Sequence, residues 1–343
     1  MKKILSLLFA LQLFSNLISA QTKSEYKIAN KFPLAGDGGW DYISIDDSTG
    51  RLFVSHGNIV QVADAKTGKI IATISDLKGV HGIALAPEFN KGFITNGKDS
   101  TVTVFDLKSY ASLARVKVTG ANPDAILYDP FSKKVFIWNG RTSNATVMDA
   151  STNKVAATIS LDGKPEFSVS DGKGKIYVNI EDKSEVCMIN ATTLKVEQIW
   201  PIKPGEEPSG LALDNTTHRL FSVTDKLMVI LDAQTGKVIT TLPIGERVDG
   251  VAFDPTLKRA YSSNGDGTMT VVQEENENSF KVLETVATQK GARTICVDTK
   301  THHLYLPTAE FGETPEKTKE NPHPRPSVKP NSFVVLNIEW TKK

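Results

Sequence analysis

The chain has 343 residues, and its 40 Lys and Arg residues nearly balance its 39 Asp and Glu residues, which gives a formal net charge of +1. A charge this close to zero argues against a nucleic-acid-binding platform, which depends on a strongly basic surface. The 24 glycines suit a turn-rich β protein, and two cysteines allow one disulfide at most.

The first twenty residues have the pattern of a cleavable secretory signal. Lys2 and Lys3 precede the apolar stretch ILSLLFALQLF, and Ile18-Ser19-Ala20 leads to Gln21. The stretch is short for a membrane span, and no Cys follows the cleavage position to carry a lipid anchor. We therefore expect residues 1–20 to be removed near Ala20, and the mature chain, residues 21–343, to be secreted or periplasmic without a membrane span.

Beyond this segment, a pattern of roughly 40 to 44 residues repeats seven times, a period typical of propeller blades. Each copy has four short runs of β-like alternation, separated by turns rich in Gly, Asn, Asp and Pro. The first run of each copy ends at an equivalent position: Asp46, Ala86, Asp129, Asp171, Asp214, Asp254 and Asp298. The repeat predicts an all-β fold, a single seven-bladed β-propeller domain with four-stranded antiparallel blades.

Ring closure is predicted from the two ends of the repeat. The seventh copy has three runs, and the segment YKIANKFPL, residues 26–34, matches the fourth runs KIIATI and KVAATI. We expect this segment to pair with the last blade, so that no sheet edge stays open for aggregation.

The two cysteines are predicted to be free. Cys187 falls in the third strand of blade four and Cys296 in the innermost strand of blade seven, whereas a disulfide needs Cα atoms within about 7 Å. The haem attachment motif C-x-x-C-H is also absent from the sequence.

The turn units resemble those of the YVTN family, the YncE-like group of exported bacterial seven-bladed β-propellers. The resemblance is carried by IVQVADAKTGKIIATI (59–74), ATVMDASTNKVAATI (145–159) and LMVILDAQTGKVITTL (227–242), and it extends over nearly all of the mature chain. It implies a periplasmic or surface propeller without an assigned reaction, since such propellers serve as binding platforms and as enzymes.

Functional residues are expected where two sets of loops open around the mouth of the central channel. The loops that enter the innermost strands place one polar residue per blade at equivalent positions: Asp41, His81, Asp124, Glu166, Ser209, Asp249 and Arg293. The loops that follow the second strands add His56, Asn58, Asn96, Asn139, Glu181, Asp225, Asn264 and Glu310.

The first of these two sets, the mouth ring, contains four carboxylates and one arginine. Such an imbalance favours a bound cation, a raised pKa or a cationic group on a partner. Arg293 on blade seven lies between Asp249 on blade six and Asp41 on blade one, which predicts an ion-pair triad across the closure.

A second cluster in the mouth ring indicates chemistry. His81, Asp124 and Glu166 lie on consecutive blades, with His56 on blade one within reach. Their nitrogen and oxygen donors are suited to a divalent metal, or to acid–base catalysis with His81 as the base. Alternatively, each side chain caps its own loop.

Three further features belong to the predicted mouth. Trp40 directly precedes Asp41, and Trp138 directly precedes Asn139, a further candidate for ligand binding. The two indoles are expected either to stack on a ligand or to pack between blades. Residues 313–331, rich in Pro, Lys and Glu, interrupt blade seven and are expected to lie over the channel mouth. The alternative is an insertion without function.

The interpretation that follows is an exported propeller that binds a ligand or protein partner at its mouth. The runner-up is a lactonase-like hydrolase or lyase with a divalent metal as cofactor, and the third is a structural envelope protein. The expected partners are a small molecule or a cell-envelope protein, bound by a monomer.

Overall fold

The computed structural model describes residues 24–36, 38–319, 322 and 324–341. The predicted signal segment lies outside these residues. Among the described residues, no helix has the length and apolar character needed to cross a membrane.

The described residues form seven sheets of four antiparallel strands each. Blades one to four follow in chain order, and each runs from its innermost to its outermost strand. These blades contain β2 (Trp40–Asp46), β3 (Arg51–His56), β4 (Ile59–Asp64), β5 (Ile70–Ile74), β6 (Val80–Ala86), β7 (Lys91–Asn96), β8 (Thr101–Asp106), β9 (Ser112–Lys117), β10 (Pro123–Asp129), β11 (Lys134–Asn139), β12 (Asn144–Asp149), β13 (Val155–Ser160), β14 (Pro165–Ser170), β15 (Lys175–Ile180), β16 (Glu185–Asn190) and β17 (Lys195–Pro201).

Blades five to seven complete the ring, and the last of them takes its outermost strand, β1 (Tyr26–Pro33), from the start of the chain. The other strands are β18 (Leu211–Asp214), β19 (Arg219–Thr224), β20 (Leu227–Asp232), β21 (Val238–Pro243), β22 (Val248–Asp254), β23 (Arg259–Asn264), β24 (Thr268–Asn276), β25 (Ser279–Ala287), β26 (Cys296–Val297), β27 (Leu304–Thr308) and β28 (Val334–Trp340). Two single 3₁₀ turns, Pro87–Phe89 and Glu181–Lys183, are the helical elements of the described chain. The predicted seven-bladed fold is confirmed.

The apolar core is divided into seven clusters, and each cluster lies between two neighbouring blades. Between blades one and two, for example, the rings of Phe53 and Phe105 lie 5.8 Å apart. Every sheet is therefore packed on both faces, and the strand ends at the mouth are held on a rigid support.

The predicted closure is confirmed. β1 pairs antiparallel with β28 from Tyr26 opposite Trp340 to Pro33 opposite Val334. Tyr26 and Phe32 are 2% and 6% exposed, so the strand also contributes apolar side chains to the core. The order β1-β28-β27-β26 makes β1 the outermost strand of blade seven.

Turn chemistry also follows the repeat. The carboxylates that end the third strands of blades one, two, three and five accept backbone N–H groups two and three residues later. The bonds at the third residue are Asp64 with Thr67 (3.0 Å), Asp106 with Ser109 (2.7 Å), Asp149 with Thr152 (2.8 Å) and Asp232 with Thr235 (2.8 Å).

Both cysteines are free and lie on separate blades, as predicted: Cys187 in β16 and Cys296 in β26. Burial raises the pKa of Cys187 to about 12, and burial also holds the pKa of Cys296 well above its usual range. Both thiols are thus unreactive at neutral pH.

Candidate functional site

The mouth ring is built on irregularities in the innermost strands of blades one to four. In blade one, Trp40 is opposite His56 and Ile43 is opposite Val54, so Asp41 and Tyr42 together face a single partner residue, Ser55. The Ser55 hydroxyl accepts the N–H of Asp41 at 3.2 Å and donates to the carbonyl of Tyr42 at 2.9 Å. Such a β-bulge re-aims side chains, and the same shift recurs in blades two, three and four.

The side chains of the mouth ring line one cavity of about 500 Å³ on the channel axis, here called the central cavity. All seven predicted members are present, and Lys164, Glu181 and Arg325 join them. The position of the ring is therefore confirmed, while its role in binding stays a prediction.

The floor of the central cavity is aromatic. Tyr42 of blade one stacks on Phe167 of blade four, with ring centroids 5.4 Å apart and an interplanar angle of 13°. Because these blades are not neighbours, the pair crosses the channel. The equivalent positions of the other blades hold small residues that leave room for the two rings: Gly82, Ala125, Gly210, Gly250 and Thr294.

Arg293, Lys164 and, in its protonated form, His81 each bridge two carboxylates around the central cavity. Arg293 forms an ion pair with Asp249 and lies 3.7 Å from Asp41, which confirms the predicted triad. On blade two, the Nδ1 of His81 lies 2.7 Å from Asp41 and 3.5 Å from Asp124. Burial alone would lower the pKa of His81, but the hydrogen bond with Asp41 and the charge of Asp124 raise it.

The third cation is Lys164, which lies 2.7 Å from Glu166 and also forms an ion pair with Glu181. Burial opposes its charge, whereas the bonds to the two glutamates raise its pKa above the usual value. Asp124 and Glu166 are neighbours in the mouth ring. Among the described residues, no cationic side chain forms an ion pair with both of them.

The pKa values of these two neighbours reflect burial and the charge of adjacent carboxylates. Burial and the charge of Asp41 raise the pKa of Asp124 to about 6. Burial and the charge of Asp124 raise the pKa of Glu166 to about 7. Perturbations of this kind are typical of functional sites, although structural networks also produce them.

A possible metal site includes two of the predicted ligands. The donor atoms of Asp41, His81 and Asp124 all lie within 4.8 Å of one another, and this mixed nitrogen and oxygen set fits zinc or a similar divalent ion. Glu166 is instead engaged by Lys164. The sequence had placed Glu166 and His56 in this set and had left Asp41 out.

Three residues predicted to face a ligand lie elsewhere. His56 is 1% exposed and stacks on Phe333 at 4.0 Å. Trp138 is fully buried and donates to Ser168 at 2.6 Å. Asn139 is fully buried and donates to Asn144 at 2.7 Å and to Thr146 at 3.0 Å, an intrablade role that Asn96 and Asn264 share.

Trp40 packs against Phe311 and Phe333, with ring centroids 5.9 and 5.4 Å apart. The interblade packing that the sequence allowed for the two tryptophans thus describes Trp138, while Trp40 packs in this way and also lines a cavity beside Asp41 and His81. For His56, Trp138 and Asn139, the sequence placed the residue correctly along its strand but did not predict the direction in which its side chain points.

The structure adds residues that the sequence analysis missed. Lys164 stands two positions before Glu166, and Tyr42 and Phe167 stand one position after Asp41 and Glu166. An alignment of the seven copies at these two offsets would have shown the one lysine and the two aromatic residues among mostly small neighbours.

The inserted segment of blade seven reaches the mouth. Its base is closed by pairing of Phe311 with Val328 and by a bond from the N–H of Gly312 to the carbonyl of Ser327 at 2.8 Å. From this segment Arg325 lines the central cavity. The expected position over the mouth is confirmed for this residue.

Comparison with known proteins places the chain by its fold. No family model matches it, and no curated protein matches its sequence. Hydrazine synthase of Kuenenia stuttgartiensis is similar, with a TM-score of 0.70 and 16% identity over 80% of this chain and 94% of that one. U3-55K gives 0.74 at 7% identity, with coverage of 90% and 97%. A chain of the mitotic checkpoint complex gives 0.73 at 12% identity, with coverage of 88% and 96%.

At identities of 16% and below, these likenesses show the fold alone. The protein is a seven-bladed β-propeller, a class that commonly serves as a protein-binding platform and that hosts many unrelated functions.

Proposed function

We propose that the protein binds, through the central cavity, a ligand that presents an ammonium group to Asp124 and Glu166. The observation that carries this proposal is the pairing around the ring. His81, Arg293 and Lys164 each contact two carboxylates. Asp124 and Glu166 are also neighbours in the ring, but no basic side chain of the described residues contacts both of them. A ligand cation there would complete the alternation of charges.

The electrostatics of the pair support a cation in this position. Both carboxyl groups have raised pKa values, about 6 for Asp124 and about 7 for Glu166, so their charged forms are disfavoured without a partner. A bound ammonium group lowers the free energy of the charged forms and donates charge-assisted hydrogen bonds to both.

The floor of the cavity suits an organic cation better than a bare ion. Tyr42 and Phe167 line the cavity below the carboxylates. Aromatic faces attract ammonium groups, by about 0.5 to 2 kcal/mol depending on desolvation. The ligand is then a small amine, or an amine-bearing side chain of a cell-envelope protein.

The test is calorimetric titration with butylamine and choline. We expect wild-type protein to bind at least one of them, and Glu166→Gln to weaken that binding about tenfold or more, because the amide keeps the shape and removes the charge. Affinity should rise with pH through about 6 and about 7, because both carboxyl groups must lose their protons before they attract the cation.

Glu275→Gln is the matched control. Glu275 is an exposed glutamate at the outer edge of blade six, where it pairs with Lys281, so its substitution should leave amine binding unchanged. Absence of binding by both amines, or binding that Glu166→Gln leaves intact, would reject the ammonium site.

A metal-dependent hydrolase of lactonase type is the second candidate, and the cluster of Asp41, His81 and Asp124 favours it. A divalent ion there would polarise a carbonyl group or acidify a bound water. The contacts of His81 rank this candidate second, since its Nδ1 already lies 2.7 Å from Asp41 and 3.5 Å from Asp124.

Metal analysis of purified protein separates the two functions. The hydrolase predicts one divalent ion per chain in wild type and its loss in His81→Ala, together with hydrolysis of simple lactones. Amine binding without a stoichiometric ion would support the binding function and reject the metal-dependent hydrolase. If neither an ion nor an amine is bound, the third candidate, a structural envelope protein, gains support.

We also propose that the protein is an exported member of the YVTN group, on the strength of its N-terminal segment and its turn units. Cell fractionation followed by N-terminal sequencing tests the export. A mature chain that begins near Gln21 in the periplasm or medium is expected, and an uncleaved cytoplasmic chain would contradict it.

A further inference from the structure

A second cavity of about 610 Å³ opens beside the central one, on the rim of blades one to three. We call it the outer cavity. It shares Asp41, His81 and Arg293 with the central cavity, so the two are parts of one cleft. Its other lining residues include two cations that the central cavity lacks, Lys98 and Arg141.

The charge of the outer cavity is opposite to that of the central one. Among the described residues, Lys98 and Arg141 take part in no ion pair, and both are exposed. The carboxylate of the outer cavity, Asp41, is already in contact with His81 and Arg293. The central cavity, by contrast, has five carboxylates against three permanently charged cations. The cleft therefore runs from an acidic inner end to a basic outer end.

Four glycines line the outer cavity. Gly39 and Gly79 come shortly before the mouth-ring residues of blades one and two, and Gly57 and Gly97 directly follow the second strands of the same blades. A Cβ atom at Gly97 would lie 2.7 Å from the Nε2 of His81. Gly97 thus leaves the space that the imidazole of His81 occupies, whereas at Gly39 nothing lies within 4 Å of a Cβ position and the cavity is open.

From this arrangement we infer that the outer cavity is an anion subsite. The inference rests on the proposed function and names its ligand class: a bifunctional molecule with an ammonium group between Asp124 and Glu166 and a carboxylate or phosphate at Lys98 and Arg141. Guanidinium and ammonium groups both bind such anions through charge-assisted hydrogen bonds. Because these cations are exposed, the anion contact weakens as salt rises.

The probes are butylamine, the amino acids γ-aminobutyrate, δ-aminovalerate and ε-aminohexanoate, and aminopropylphosphonate. The amino acids vary the spacing of the two charges, and the phosphonate distinguishes a phosphate-like group from a carboxylate. We expect at least one bifunctional probe to bind wild type about tenfold more tightly than butylamine. In the double variant Lys98→Gln with Arg141→Gln, that preference should disappear while butylamine binding stays.

Lys108→Gln with Lys154→Gln is the matched control. Both lysines are exposed in turns on the opposite face of blades two and three, and the pair changes the net charge equally. The control should keep the preference for the bifunctional probe. If it is lost in the control as well, or kept in the Lys98 and Arg141 variant, the anion subsite is rejected.

The outcomes separate this inference from the function on which it rests. Butylamine binding that depends on Glu166, without any preference for a bifunctional probe, would overturn the anion subsite and leave the ammonium site. Titration with inorganic phosphate examines the outer cavity alone. Phosphate binding that depends on Lys98 and Arg141, without amine binding, would support the anion subsite and overturn the ammonium site. Failure of both phosphate and the bifunctional probes to bind overturns the subsite.

Discussion

Two arginines of this propeller stand in ion-pair networks of different character. Arg259, at the seam where β1 closes the ring, has an 11% exposed side chain and donates to Tyr26 at 2.8 Å and Gln273 at 3.1 Å, with Glu25 at 3.0 Å. Its guanidinium also lies 5.1 Å from the ring of Trp340. Arg293, at the mouth, is 40% exposed and binds two aspartates.

The difference separates a structural network from a candidate site. At the seam, a buried cation is surrounded by acceptors and aromatic faces, which is what burial of a charge requires. At the mouth, Asp124 and Glu166 are neighbours, and no cationic side chain of the described residues contacts both of them. Their pKa values are raised. A network that is complete by itself contributes to stability, whereas one that lacks a cation gives a ligand something to bind.

The largest expected effect comes from breaking the seam at β1. Deletion of residues 26–34 removes the buried side chains Tyr26, Phe32 and Leu34, which should cost roughly 5 to 9 kcal/mol of unfolding free energy. It also exposes the edge of β28 to aggregation. The substitution Phe32→Ala is a milder test of the same closure, measured by urea unfolding. Lys31→Ala, at the exposed neighbouring position, is its control. Equal unfolding of the two variants would contradict the closure.

A smaller loss is expected at the arginine of the seam. Arg259→Ala leaves the Tyr26 hydroxyl and the Gln273 side chain without their charged donor, and such bonds contribute about 1.5 to 3 kcal/mol each in partly buried settings. Thermal and urea unfolding measure the loss, and amine binding at the mouth should not change. A variant with wild-type stability would show that the seam does not depend on this network.

The sequence predicted the seam and the position of the mouth ring because both follow from the repeat. Strand alternation identifies β1, and counting from the ends of the innermost strands gives all seven residues of the ring. The repeat could not give the β-bulges, because the extra residue of each bulge appears only when a strand is paired with its neighbour. The directions of His56 and Trp138 were missed because the repeat gives a position along a strand, while their partners Phe333 and Ser168 come from neighbouring blades.

The charge pattern of the mouth was recoverable only in part. Asp41, Asp249 and Arg293 were correctly joined, since they stand at one repeat position on successive blades. Lys164 and Arg141 stand at other repeat positions, which the sequence analysis did not compare between blades. Their contacts depend on how far a long side chain reaches across a loop.

Gly97→Ala tests the network at the mouth by displacing the His81 side chain from its carboxylate partners. The new Cβ would lie 2.7 Å from the Nε2 of His81 and should move the ring away from Asp41. Overpacking of this kind costs about 1 to 3 kcal/mol, and the pKa of His81 should fall once its carboxylate partners are lost. NMR titration of His81 measures the shift.

The control for Gly97→Ala is Gly140→Ala. Gly140 follows the second strand of blade three as Gly97 follows that of blade two, but its nearest neighbour would be the Cε of Lys164 at an ordinary 3.6 Å. This variant should unfold like wild type and leave the His81 titration unchanged. If the two alanine variants behave alike, His81 does not depend on the space above Gly97.

The smallest effect on stability is expected for Arg293→Ala, which breaks the triad at the mouth. Exposed ion pairs contribute about 0.2 to 1 kcal/mol, so the loss should be well below that of Arg259→Ala. It should be larger at low salt than at high salt, because salt screens the repulsion between Asp41 and Asp249 that the arginine compensates.

His81 gives this last variant a more direct measurement. The charge of Arg293 lowers the pKa of His81 in the wild type, opposing the larger effects of Asp41 and Asp124. Removal of the arginine should therefore raise the pKa of His81 further, and the additional imidazolium would replace part of the lost positive charge beside Asp41. An unchanged His81 titration, together with equal unfolding curves for the variant and the wild type at low and high salt, would mean that Arg293 does not compensate the aspartates and is available to a ligand.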